Sequence, residues 1–275
     1  MKIFGIMTVT LDPLSLVLSV YIAMVVLMAV LWGLHLWVRN ASIADVGFCV
    51  GLIAAVLWYA QHASGETARK LLLVVMVCLY AGRLGLFVLL NRIVGKAEDA
   101  RYRRLREQWG ATERIKMFGY FQLQAIAVAG FSLPFLVVVQ NPRSPFGLEE
   151  LAGLTVWLIA VAGEAIADWQ LAGFRSKPWN KDRVCRQGLW YYSRHPNYFF
   201  EWLHWWAYVV MAMGAPGWPL TLVGPAGMGW ALLNVSGIPL AEEQALKTRG
   251  EEYREYQRTT NAFLPWKPKR SVIPP

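Results

Sequence analysis

Seven stretches of the chain read as apolar helices, at residues 14–38, 45–60, 71–90, 118–139, 151–171, 198–213 and 218–240, each nearly free of charge and bounded by polar connections. An uncharged helix of about 20 residues spans a hydrocarbon core of about 30 Å, and no soluble core needs so many. The first stretch is the clearest, beginning after Pro13 and meeting no charged side chain before Arg39. It is too long for the apolar part of a signal peptide, and no small-residue cleavage pattern follows it, so it reads as a retained helix. Stretches 45–60 and 198–213 are short for a full crossing, which a tilted or shielded segment tolerates. The pattern predicts an all-α fold, a polytopic membrane helix bundle of six or seven transmembrane helices.

Composition agrees: 56% of the 275 residues are hydrophobic and 16% are charged, against roughly a quarter charged in soluble domains. The net charge of +9 is concentrated. Residues 93–117 hold seven Lys or Arg, residues 172–198 six and residues 244–275 seven, together 20 of the 27. In a seven-helix arrangement these segments fall on one side, which the positive-inside rule makes cytoplasmic, with the N-terminus outside. Apolar spans separate the basic clusters and no RNA- or DNA-binding motif occurs, so nucleic acid is excluded as a partner. Membrane lipids, a lipophilic small-molecule substrate and a phosphorylated cofactor remain.

Charge inside a span is costly and calls for a partner or a function. Asp45, Arg83, Glu164, Asp168 and Glu201 are the charges in question. Arg83 follows Tyr80 by three residues on one helical face, and Glu164 and Asp168 are spaced i, i+4, so their carboxylates project together. The competing reading is that Arg83 pairs with one of these acids to fix helix packing. Residues 188–205, GLWYYSRHPNYFFEWLHW, are the densest signal. Pro196 can open a helix, with Ser193, Arg194 and His195 forming the approach. Asn197, Glu201 and Trp205 then make one polar and aromatic stripe, beside Tyr198.

Several chemistries are absent from the sequence. Four histidines cannot supply the His-rich boxes of a membrane di-iron enzyme, and Cys49, Cys78 and Cys185 form neither a CxxC nor an even set, so no metal site or disulfide framework is expected. Neither a Rossmann glycine fingerprint nor a P-loop is present, which leaves any nucleotide to bind among helices and loops. Asn40-Ala-Ser42 and Asn234-Val-Ser236 match the glycosylation pattern by chance. Residues 242–258 are charged and helix-favouring, and 261–275 are Pro-rich and expected to be extended.

The motif GLWYYSRHPNYFFEW, followed by SGIPLAEEQAL, EEYREYQ and FLPW, resembles the steroid 5-alpha-reductase-like family and looks like its bacterial members. The resemblance is strong over residues 163–266 and weak before them. It implies a seven-helix NADPH-dependent oxidoreductase that reduces a carbon–carbon double bond in a lipophilic, steroid-like enone, in the bacterial inner membrane with the cofactor site facing the cytoplasm. It implies that Asp168, Arg175, Asn197 and Glu201 line the NADPH site, near Glu164 and the signature residues Ser193, His195 and Tyr198. Arg175, Lys177, Lys181 and Arg194 suit the cofactor's phosphates. Tyr253 and Tyr256 would close the site, or equally form a surface helix. Tyr80 matches the family's proton donor and Arg83 a cofactor or orienting contact. The steroid-reducing members' Gln-Glu pair is missing; its counterpart is Ala44-Asp45, which makes Asp45 the second catalytic candidate.

The organisation expected is a single membrane domain over 1–275, with substrate-side helices in 1–140 and the reductase-like, cofactor-binding part in 141–275. Two other classes compete. S-adenosylmethionine-dependent methyltransferases of the isoprenylcysteine and phospholipid type share the RHPxY element and a Glu pair such as Glu242-Glu243. A transporter or lipid scaffold would also hold buried charge, but would show broken helices in matching halves.

Overall fold

The structure is a computed structural model that describes residues 11–143, 147–235 and 237–269. Among these residues there is no strand. Five helical stretches are long and apolar enough to cross a membrane: Pro13–Val38, Ile43–His62, Thr67–Ile93, Arg101–Gln140 and Leu148–Arg175. The protein is therefore membrane-embedded and all-helical. It divides into two compact units, Met1–Leu148 with Ala212–Val223, and Glu149–Met211 with Gly224–Pro275.

The first unit is built from α1 (Pro13–Val38), α2 (Ile43–His62), α3 (Thr67–Val88), α4 (Ala100–Trp109) and α5 (Glu113–Gln140). Local chemistry sets their ends. The Asp12 carboxylate accepts the Ser15 N–H at 3.0 Å ahead of Pro13, and Glu66 accepts the Arg69 N–H at 2.9 Å at the start of α3, satisfying amides that a helix start leaves open. Arg39, with φ 54°, ends α1 in the left-handed conformation. Between lipid-embedded helices there is no hydrophobic drive, so contact depends on how closely the backbones approach. Gly47 and Gly51 provide that approach: a Cβ on either would lie 2.4 Å from Leu31 or 2.6 Å from Met24. Met24 and Met28, both buried, fill the space.

Polar clamps hold the two ends of this bundle. At one, Asn40 donates to the Arg92 carbonyl at 2.8 Å and Glu98 accepts the Ala41 N–H at 2.8 Å. At the other, the buried Arg69 guanidinium donates to the carbonyls of Asn141 (2.7 Å) and Arg143 (3.2 Å), and Lys70 donates to the Ala63 carbonyl. Asn40 is 3% exposed, so the first glycosylation-like triplet is a packed turn. In the second, Asn234 donates to the Trp230 carbonyl and Ser236 lies outside the described residues. None of the three cysteines is in a disulfide; Cys49 and Cys185 are buried and Cys78 half-buried.

The second unit contains α6 (Leu148–Arg175), α7 (Leu189–Tyr192), α8 (Pro196–Ala212), α9 (Val223–Trp230) and α10 (Ile238–Thr259). Helix α8 has 17 residues and rises about 25 Å, short of a full crossing. The expected continuous helix over 218–240 is not formed. It is divided into a 3-10 turn at Trp218–Leu222, then α9, then a π turn at Ala231–Val235. Apolar composition there coincides with Pro219, Pro225 and the glycines at 224, 227 and 229, and proline is best accommodated in the first turn of a helix. Residues 261–269 follow α10 without regular structure; the rest of the expected extended tail, 270–275, lies outside the described residues.

Candidate functional site

The signature begins at Gly188, whose φ of 58° suits glycine, and a Cβ there would lie 2.3 Å from the Gln170 amide. Gln170 in turn accepts the Leu189 N–H at 2.9 Å, and the Trp190 indole donates to the Ala167 carbonyl at 2.9 Å. These bonds bracket Asp168 and dock the turn before α8 against the end of α6. Ser193 Oγ accepts the His195 N–H at 3.1 Å, and Pro196 opens α8 as its spacing predicts.

Asn197, in the first turn of α8, donates from Nδ2 to Asp168 Oδ1 at 3.2 Å. Its Oδ1 is shielded from solvent and has no hydrogen-bond partner among the described residues. Leaving a buried carbonyl oxygen unmade costs on the order of 1–3 kcal/mol, so such an atom marks a place for a donor. Arg175, the last residue of α6, lies within electrostatic range of Asp168, Tyr198 and Arg249. Tyr198 stacks on His195 with centroids 5.3 Å apart. Glu164 is buried one turn before Asp168, Glu201 is half-buried one turn after Asn197, and Lys177 and Lys181 are exposed beside the Pro178–Asn180 turn. Four predicted residues, Asp168, Arg175, Asn197 and Tyr198, thus share one neighbourhood.

Other predicted residues carry structure. Arg194 donates from Nε to Glu242 at 2.7 Å and from Nη1 to the carbonyls of Gln257 (3.1 Å) and Thr260. His195 Nε2 lies 3.2 Å from the same Glu242 oxygen, and Gln257 donates to its other oxygen at 2.6 Å. Tyr253 OH reaches Glu242 at 3.4 Å. Tyr256 donates to the carbonyls of Ser193 (3.1 Å) and Trp190. The hydrogen bonds from His195, Arg194 and Gln257 outweigh burial and push the Glu242 carboxyl down to about 2, so it is charged throughout the physiological range. Burial raises the Tyr253 and Tyr256 hydroxyls.

A straight helix would separate Glu242 and Gln257 by about 22 Å at 1.5 Å per residue. Gly250, with φ 50° and ψ −122°, folds α10 back so that they meet. Sequence reasoning missed Glu242 as a hub, along with Gln170, Trp190 and Gln257. The available signal was Arg194 itself, a cation beside an apolar helix in need of a counter-charge.

In the first unit Tyr80 is 3% exposed on α3, and Arg83 is half-buried one turn on. Asp45 lies in the first turn of α2. Its Oδ1 accepts from Tyr102 at 2.7 Å, its Oδ2 from Arg101 at 3.0 Å, and Arg92 stands at 3.6 Å. Both oxygens are used to hold α4 on the bundle. Asp45→Asn should therefore loosen α4, read as faster amide exchange over residues 100–109; unchanged exchange there would show that Asp45 does not hold α4.

Residues 19–260 match the protein family described as "Protein of unknown function (DUF1295)". The chain belongs to this family. No curated protein and no solved structure gives a match. The matched span runs from within α1 through the signature region of this DUF1295 member and the hub at Glu242.

Proposed function

We propose that this DUF1295 member is an NADPH-dependent reductase of a carbon–carbon double bond in a lipophilic enone, related to the steroid 5-alpha-reductase-like group. The observation that carries the reading is Asn197: its amide is held by Asp168 through Nδ2 and offers Oδ1, shielded and unpartnered among the described residues. An amide so held accepts one hydrogen bond, as a carboxamide N–H or a ribose hydroxyl can give. The carboxylates of Asp168 and Glu201 suit ribose hydroxyls. Arg175, Lys177 and Lys181 are the cations we assign to the phosphates, because Arg194 already spends its guanidinium on Glu242 and two carbonyls. Bound NADPH would supply the hydride. This chain's part is to orient the cofactor and, through Tyr80, to give a proton to the oxygen on which charge develops.

The basic segments 93–117, 172–198 and 244–275 are assigned to the cytoplasm by the positive-inside rule, where NADPH is available. Methyl transfer from S-adenosylmethionine draws on the RHP and Glu-Glu elements, but here Arg194, His195 and Glu242 are turned on one another, so those elements do not favour it.

The test is binding to the purified protein by NADPH, NADH and S-adenosylmethionine in parallel. NADPH should bind most tightly, and Arg175→Ala should weaken it by about 1.5–3 kcal/mol, the worth of a hydrogen bond to a charged group. Equal affinity for NADPH and NADH would sink the phosphate assignment, and preference for S-adenosylmethionine would sink the reductase.

A further inference from the structure

The signature turn is tied to the C-terminal part of the chain far more heavily than a helix start requires. Besides the Glu242 contacts, Arg194 N–H donates to the Asn261 carbonyl at 2.9 Å, and Trp266 N–H donates to the Tyr192 carbonyl at 2.9 Å. Ser193 Oγ donates to the Phe263 carbonyl at 2.8 Å, and Tyr256 OH to the Ser193 carbonyl at 3.1 Å. Ser193 is wholly buried and His195 is 6% exposed. Every residue from Trp190 to His195 except Tyr191 is thus bonded to α10 or to the segment after it. Asn197 stands two residues beyond His195, with Pro196 between them as a stiff link.

We propose that Glu242 is a positioning residue for Asn197: through Arg194 and His195 it fixes the turn from which α8 starts, and so aims the Asn197 amide. The inference rests on the cofactor reading above and deepens it, because it makes α10 and residues 260–266 working parts of the cofactor site rather than a surface appendage. Glu242 touches no ligand in this scheme. Three bonds meet on one oxygen, Oε1, from Arg194, His195 and Tyr253, so losing the charge disturbs Arg194 and His195 together. The Arg194 side chain is only 10% exposed, and without its counter-ion it would draw away toward water.

Glu242→Gln keeps the volume and removes the charge. Two measurements on the full-length protein test the idea. Amide exchange over residues 190–201 should speed up in the variant, and the NADPH dissociation constant should rise by roughly tenfold, with the number of binding sites per folded protein unchanged. A merely structural role would lower the number of sites and leave the constant of those remaining as it was. Asn197→Ala should raise the constant too. The double variant should be no worse than about twofold beyond the poorer single one, because both remove the same aimed amide.

Unchanged exchange over 190–201 would overturn the proposal, and so would faster exchange with an unchanged constant, or additive losses in the double variant. If the native protein binds no NADPH, the reductase reading falls, and amide exchange alone then decides whether Glu242 holds the turn.

Discussion

On the reductase reading proposed above, Tyr80→Phe should lower turnover by roughly 10²-fold or more while NADPH affinity stays within about twofold. The substitution deletes one oxygen from a side chain that is 3% exposed on α3 and leaves the ring to pack as before. If hydride delivery to an enone builds negative charge on its carbonyl oxygen, the missing hydroxyl is felt in the transition state and hardly at all in the bound ground state. A substrate is needed, to be sought among enone lipids and steroids by the loss of NADPH absorbance. Full turnover by Tyr80→Phe on a substrate that the native protein reduces would remove Tyr80 from the chemistry.

The other large effect is on stability. Arg69→Ala should destabilise the first unit by about 3 kcal/mol, equivalent to roughly 10²-fold in its unfolding equilibrium. Arg69 is 1% exposed, and its guanidinium joins the start of α3 to carbonyls at the end of α5 and beyond. The variant removes the Arg69 donor from a buried hydrogen bond to the Asn141 carbonyl and from a half-buried one to the Arg143 carbonyl. Denaturant unfolding in detergent micelles would measure it, and a shift below about 0.5 kcal/mol would show that the clamp is dispensable. Arg69→Lys should fall between, because it keeps the charge but loses the planar fork.

Helix positions in the membrane part are legible because lipid demands unbroken apolar runs: the stretch 14–38 became Pro13–Val38, and 118–139 lies within Glu113–Gln140. Apolarity is silent about continuity where burial needs no single long helix, and 218–240 shows this. Its prolines and glycines divide the stretch into three short pieces.

The site was half legible. Periodicity places Asn197 and Glu201 on one face of α8 and Glu164 and Asp168 on one face of α6, but it cannot say which faces meet. The bond between Asn197 and Asp168 crosses 29 residues of sequence. Asp45 was legible as a charge in an apolar run, but its hold on α4 was not, because its partner Arg101 lies 56 residues away on a helix that hydropathy does not mark. The same distance problem hid Glu242, which is 47 residues from His195.

The fold-back at Gly250 places a demand on chain length as well as on side chains. Glu242 stands before the bend and Gln257 after it, and the two must arrive at one point, so each arm has a required number of residues. Adding or removing one would turn everything beyond it by about 100° and carry Gln257 off the hub. Exposed positions on the arms, such as Gln244, Lys247, Glu251 and Arg254, are free to change identity. Relatives that keep this clasp should therefore vary in spelling between 242 and 257 and carry no insertions or deletions there.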